Sequence, residues 1–327
     1  MLKPPPYDVL AIGAPIMDQI LLVSEEYMGM IPGEKGGMQI VDYPYLEKAL
    51  RNTSAKPVIV PGGSASNALK GMASLGDKCA IIGKIGADKV GRLYSQEMLR
   101  YGIISLFRET ATPTAQVLSF VTPDGQRTMR CFVGASVEMR GDELTSQEFE
   151  RVKLVHIEGY SIYNGSLMEV AMQLAKRAGA KVSLDLGSFE IVRKFKDKLL
   201  VLLDKYVDIV FANEDEARAL TNVSEEESCD YLAKFCDVAI VLMGREGCWV
   251  RRGLEKYRCK AYPVKPVDTT GAGDMFISAF LHGLLKGHTL IKCAHYGALA
   301  GRAAVLSLGV ELAPETWKAI RCEISQS

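Results

Sequence analysis

Short apolar runs alternate with amphipathic segments along the second half of the chain. Runs at 153–157, 181–185 and 207–211 are too short for helices, and the stretches between them, 166–177 and 191–203, carry apolar residues at helical spacing. Strands that are apolar throughout, separated by helices, predict a parallel sheet covered on both faces. The first half shows the same signature. The run 8–13 ends at Gly13, 79–83 is another buried strand, and the amphipathic segment 88–100 stops at Gly102. Segment 64–75 is rich in small residues and predicts a tightly packed helix. Strand signals at 238–243 and 248–252 precede a core helix over 291–306. Weaker β pieces at 20–23 and 38–41, a helix at 43–51, and two β segments, 115–121 and 127–133, split by Pro123-Asp124-Gly125-Gln126, complete the pattern. That tetrapeptide is a hairpin signal. With no internal repeat and no long linker, the expectation is a single α/β domain over 1–327, a doubly wound, mostly parallel sheet flanked by helices.

Composition narrows the partner. A chain of 327 residues with 39 basic and 39 acidic side chains has no basic footprint, which argues against nucleic acid or an anionic membrane and for a small molecule. Eight cysteines without a C-x-x-C pair, beside four histidines, predict reduced thiols and neither a zinc site nor a disulfide framework. Residues 1–6 lack the charged and apolar regions of a signal peptide, and no run approaches a membrane span. A cytoplasmic protein is expected, although an organellar enzyme trimmed of its transit peptide would look the same.

The chemistry concentrates at 266–286. Thr270-Gly271-Ala272-Gly273 is a small-residue turn, and the apolar run 275–285 directly after it predicts a buried helix with Asp274 in its first turn. Helix N-termini present unpaired N–H groups and the positive end of the macrodipole, so this turn can hold an anion. A carboxylate beside a bound phosphoryl group could accept the proton of an attacking hydroxyl. Taken alone, the turn is equally a plain helix start with an acidic first turn.

Further motifs shift the balance. Asp268-Thr269-Thr270-Gly271-Ala272-Gly273-Asp274 resembles the D-T-x-G-A-G-D signature of the ribokinase-like (PfkB) carbohydrate and nucleoside kinases, and Pro61-Gly62-Gly63-Ser64-Ala65-Ser66-Asn67 resembles that family's G-G-x-x-x-N substrate motif. The resemblance runs from about Asp8 to about Ala313. It implies a small β lid formed by about 19–60 and 104–135, closing over the substrate. It also implies an ATP- and Mg²⁺-dependent kinase in which Asp274 is the base and the amides of Gly271, Ala272 and Gly273 hold the γ-phosphate. Asp18, Gly62, Gly63 and Asn67 would bind the acceptor. Asn213, Gly244, Gly247 and Thr269 would contact the nucleotide, and Glu216 would act on Mg²⁺ through water. From the residues alone, Asn213 to Glu216 is a helix cap with an acidic first turn. The family's T-x-G-x-x-G pattern has Leu242 in place of its threonine, which removes one hydroxyl contact. Arg130 or Lys84 is a candidate further cation.

Several details resemble the adenosine-kinase branch: Gly13-Ala14-Pro15-Ile16-Met17-Asp18, the long segment between Asp18 and Gly62, and Leu184-Asp185-Leu186-Gly187-Ser188-Phe189. Phe189 could stack on a base or be an ordinary core residue. The expected acceptor is thus a nucleoside or sugar; a free-sugar kinase is the first alternative and a non-catalytic binding protein the second. No cluster of lysines and arginines near Asp18 or Gly62 suggests a second phosphate, and no G-x-G-x-x-G follows the first strand, which removes a nicotinamide oxidoreductase. The resemblance implies a monomer or a homodimer.

Overall fold

The computed structural model describes residues 7–53, 55–124, 126–307 and 309–326; residues 1–6 and Gly125 of the expected hairpin signal lie outside them. Two sheets organise the chain. In the larger, the strands are β1 (Val9–Ile12), β5 (Cys79–Gly86), β6 (Ile104–Thr110), β9 (Leu154–Glu158), β10 (Lys181–Asp185), β11 (Ile209–Asn213), β12 (Val238–Leu242), β13 (Cys248–Arg252) and β14 (Glu255–Cys259). Their spatial order is β14-β13-β12-β11-β10-β9-β1-β5-β6, parallel except for the β12–β13 and β13–β14 pairs. The smaller sheet contains β2 (Ile16–Leu22), β3 (Met38–Ile40), β4 (Val58–Gly62), β7 (Ala115–Val121) and β8 (Arg127–Phe132), in the order β3-β8-β7-β2-β4.

The core lies on both faces of the large sheet, as its uninterrupted apolar strands require. Leu10 and Ile12 of β1 point towards α5 (Leu167–Arg177), α6 (Phe189–Tyr206), α7 (Glu214–Thr221) and α8 (Glu225–Leu232), while Val9 and Ala11 point towards α3 (Ser64–Ser74), α4 (Lys89–Arg100), α9 (Ala272–Leu285) and α10 (Leu290–Val305). Helix α11 (Pro314–Gln326) closes a smaller cluster around Trp317. One face of the small sheet is covered by α1 (Glu25–Met30) and α2 (Tyr43–Asn52) through Leu21, Leu118 and Phe120.

Two expectations need correction. Segment 104–110 pairs in parallel with β5 and is an edge of the large sheet, so the small sheet's later contribution starts at Ala115. Its side chains are half-buried except for the exposed Glu109, with neither the alternation of a one-faced strand nor the full burial of a central one. The end of the first strand signal at Gly13 leads one to expect a loop at Asp18, just beyond it; Asp18 instead lies inside β2 of the small sheet, opposite Val60 and Val117.

The strand order fixes where a site can form. Sequence order reverses across β1, which has β5 on one side and β9 on the other, and ligands of open α/β sheets bind beyond the carboxyl ends of strands at such a switch point. Glu158, Asp185 and Asn213 are the last residues of β9, β10 and β11.

Candidate active site

Helix α9 begins as its glycines dictate. Gly271 has φ 72°, a left-handed conformation that favours glycine, and no side chain caps the helix. Among the described residues no protein acceptor meets the N–H groups of Gly271, Gly273 or Asp274, whereas the Ala272 N–H donates to Thr269 O at 3.3 Å. The open donor set is therefore Gly271, Gly273 and Asp274, not the trio that included Ala272. A Cβ on Gly273 would meet nothing nearer than Leu242 Cδ1 at 3.9 Å, so an anion has access to that amide.

On one side of this turn is a cavity of about 830 Å³, lined by Asn213, Gly244, Gly247, Thr269, Ala272 and Gly273 among others. All four residues expected to contact a nucleotide share it. Leu242 lines it too, presenting an isobutyl group where the related pattern has a hydroxyl.

On the other side the turn meets the acceptor motif. Asp274 accepts hydrogen bonds from Ser64 Oγ at 2.8 Å and Asn67 Nδ2 at 2.8 Å. Burial holds its carboxyl above the usual range. Asn67 Oδ1 is buried without a partner among the described residues, an acceptor left for a ligand's hydroxyl or N–H. Gly62 and Gly63 are required sterically. A Cβ on Gly62 would lie 2.4 Å from Asp18 Oδ2, and one on Gly63, at φ +94°, would lie 2.4 Å from Ala14 O. Asp18, Gly62, Gly63, Asn67 and Asp274 thus converge.

Sequence reasoning missed the acidic floor beneath them. Ser64 Oγ also lies 3.2 Å from Asp185 Oδ2, so one hydroxyl proton serves two carboxylates. Glu158, 2% exposed, accepts the N–H groups of Ala14 at 2.7 Å and Ala65 at 3.0 Å, and burial pushes it up to about 7. Burial raises Asp18 to about 6. The available signal was position: an acidic residue at the carboxyl end of a parallel strand.

Asn213 and Glu216 form a closed capping box. Asn213 Oδ1 accepts the Glu216 N–H at 2.8 Å, and Glu216 accepts both the Asn213 N–H and its Nδ2 at 2.8 Å. Glu216 is also pushed upward, by burial and by the neighbouring Asp185. A buried carboxylate raised by a second one beside it fits a cation held between protein and phosphates, but no three acidic, histidine or cysteine side chains among the described residues converge to bind a metal unaided. The donor set fits Mg²⁺ that keeps water ligands.

Neither of the two cations anticipated is placed at the turn before α9. Arg130 is fully buried, donating to the backbone carbonyls of Pro32 and Met129, and Lys84 is paired with Glu143. Arg127 of β8 reaches the turn instead: Nη1 donates to Thr270 Oγ1 at 2.8 Å, and Nη2 lies 2.9 Å from Asp268 Oδ2 without an aligned hydrogen bond. Phe189 lies under the Arg193 guanidinium at 4.9 Å, beside a second cavity, and does not line the large one.

The raised carboxylates make stability depend on pH. A group whose folded pKa exceeds its unfolded value stabilises fully below the unfolded pKa and loses that contribution as pH rises through the folded one. Glu158 places this loss near neutrality. His156, buried and lowered to about 4, acts oppositely, but its contribution is complete above about pH 6.5. The melting temperature of the unliganded protein should therefore fall between pH 6.5 and 8; a rise across that window in thermal melts would contradict these burials.

The sequence matches the pfkB family carbohydrate kinases over residues 38–317. The chain belongs to this family. The adenosine kinase from Sinorhizobium meliloti is 30% identical, with a TM-score of 0.86 over 97% of this chain and 99% of that one. A probable sugar kinase from Rhizobium etli is 29% identical, with a TM-score of 0.87 over the same shares. The ribokinase of Haemophilus influenzae is 27% identical over 83% of this chain and 90% of its own length. The molecule is a pfkB family sugar or nucleoside kinase, an ATP-dependent phosphotransferase with the ribokinase-like fold.

Proposed function

We propose that this kinase transfers the γ-phosphoryl group of ATP to a primary hydroxyl of a nucleoside of adenosine type or of a sugar, with Asp274 as the base. The observation that carries this reading is the place of Asp274, with unpaired amides and the large cavity on one side and the Asp18, Gly62, Gly63 and Asn67 group on the other. Asp18 and Asn67 Oδ1 would receive the acceptor's hydroxyls. Asp274 Oδ2, held by Asn67, would take the proton from the attacking oxygen; its upward shift strengthens it as a base near neutral pH. The N–H groups of Gly271, Gly273 and Asp274 would meet negative charge as it builds on the transferred group. Arg127 would add a positive charge from the small sheet. Asn213, Gly244, Gly247 and Thr269 would seat the nucleotide. Mg²⁺, when bound, supplies charge neutralisation on the phosphates, and Glu216 with Asp185 would hold its water ligands.

One observation favours a nucleoside over a free sugar. Alternation along the strands puts Ile20, Leu22, Val58, Val60, Val117 and Met129 on the same face as Asp18, opposite the face covered by α1 and α2. The same register also puts Ser119 and Arg127 on that face, so beside its carboxylate it offers a mostly apolar surface, which suits an acceptor with an apolar planar base attached to its hydroxylated ring. The similarity to the S. meliloti adenosine kinase points the same way.

The test is ATP consumption with Mg²⁺ across adenosine, inosine, guanosine, cytidine, ribose and fructose, with Asp274→Ala as control. Turnover of a nucleoside that disappears in the variant is expected. Turnover of ribose or fructose alone would keep the mechanism and overturn the nucleoside assignment. If no acceptor is phosphorylated while ligands raise the melting temperatures of both proteins equally, the catalytic reading is wrong and the fold serves binding.

A further inference from the structure

Lys70 lies three residues beyond Asn67 on α3 and is 2% exposed. Its ammonium donates to Pro61 O at 2.6 Å and sits 5.9 Å from the centroid of the Tyr101 ring. An ammonium carries three N–H groups, yet among the described residues no second acceptor and no carboxylate at ion-pair distance meets it. Four carboxylates face it from four elements: Asp18 on β2, Asp274 on α9, Glu97 on α4 and Glu311 in the segment before α11. Tyr101, at the end of α4, is itself faced by Glu311 and Glu97. Asp18 is faced in turn by Lys70, by Arg127 of β8, by Asp274 and by the Cys131 thiol.

The place of Pro61 gives this contact its meaning. Pro61 and Gly62 end β4, the edge strand of the small sheet, and the chain passes from there through Gly63 into α3 of the large domain layer. The joint is gripped at three points: Lys70 Nζ on Pro61 O, Tyr94 Oη on Gly62 O at 2.7 Å, and the Asp18 carboxylate against the Gly62 Cα. A neutral donor would suffice to hold Pro61 O. A charge at this depth costs desolvation, and the groups that gain from it are the carboxylates of Asp18 and Asp274.

We propose that Lys70 is a positioning residue for phosphoryl transfer: it pins the Pro61–Gly62 peptide on which Asp18 rests, and its charge keeps Asp18 in the ionised form that receives the acceptor's hydroxyls. The inference rests on the reading of Asp18 as an acceptor ligand. Burial drives Lys70 down to about 8 and Asp18 up to about 6, and each opposes the other's shift, so the pair remains charged near neutrality while it is intact.

Three variants separate the tie from the charge. Lys70→Gln keeps a donor for Pro61 O and removes the charge, Lys70→Arg keeps the charge, and Lys70→Met removes both. Acceptor kinetics are measured from pH 5.5 to 8. The Gln and Met enzymes should show the acidic limb of kcat/KM displaced upward by about one pH unit, hence about fivefold lower kcat/KM at pH 6, with KM affected more than kcat. The Arg enzyme should keep the limb of the natural protein. An unmoved limb in Lys70→Gln overturns the proposal whatever happens to the melting temperature, and this comparison stands even if Lys70→Met fails to fold. Asp18→Asn tests the foundation. If it leaves acceptor KM unchanged, Asp18 is not an acceptor ligand and both readings fall; if it raises KM while the Gln limb stays put, the Lys70 inference alone fails.

Discussion

Asp274→Asn is expected to give a folded kinase whose kcat is lower by on the order of 10³, within the range that a positioned general base contributes. The substitution is nearly isosteric, and the surroundings can absorb it. Ser64 Oγ would still donate to the remaining oxygen. The new amide would face Asn67 Nδ2, donor against donor, but Asn67 Oδ1 has no partner, and a flip of that side chain turns the clash into a hydrogen bond. Burial already disfavours the negative charge at this position, so removing it should leave the melting temperature equal or higher. Steady-state kinetics with the acceptor found in the panel, alongside thermal melts, check both halves. A kcat within tenfold of the natural enzyme would mean that some other group takes the proton.

Gly63→Ala should be the most damaging conservative change in the acceptor motif. Gly63 has φ 94° and ψ 129°, a combination L side chains rarely adopt, and its added methyl would meet Ala14 O at 2.4 Å. The backbone strain alone costs about 1–3 kcal/mol. Relief requires moving the start of α3 away from the segment that follows β1, which displaces Ser64 and Asn67 from Asp274. Misplacement of about 1 Å costs about 100-fold in rate, so acceptor kcat/KM should fall by about that factor. ATP affinity should hold, because the proposed nucleotide site is the cavity on the far side of the Gly271 to Asp274 turn. A Gly63→Ala protein with unchanged acceptor KM would show that the motif does not contact the acceptor.

What could be read from the chain alone was local. The glycine turn before α9 and the two glycines before α3 announce themselves because their task is set by their own backbone. The central strands were legible as apolar runs, since parallel strands are buried on both faces. Residues whose role is created by distant pairing were not. Glu158 and Asp185 look like ordinary strand ends until the register of β9 against β1 and β10 brings them under Ser64 and Ala65. Arg127 and Arg130 lie on one strand three residues apart, yet one reaches Thr270 while the other is enclosed by backbone carbonyls, a difference fixed by which face of β8 each occupies. The edge strands β6 and β14 carried too little periodicity to be placed, and helix α8 declares itself mainly through its capping box at Ser224 and Glu227.

The small sheet is assembled from chain segments that lie far apart. Its central pair joins β2 to β7 in parallel, with Ile16 beside Ala115, and the intervening chain builds β5, α4 and β6 of the large sheet before returning. Closing so long a loop costs entropy that only a formed scaffold can offset, so this sheet should be the last part of the molecule to appear during refolding. Asp18, one jaw of the acceptor group, should mature with it. Early intermediates would then bind nucleotide before they could bind acceptor, and backbone amides of β2 and β4 should exchange with solvent sooner than those of β1 and β9 in the finished protein.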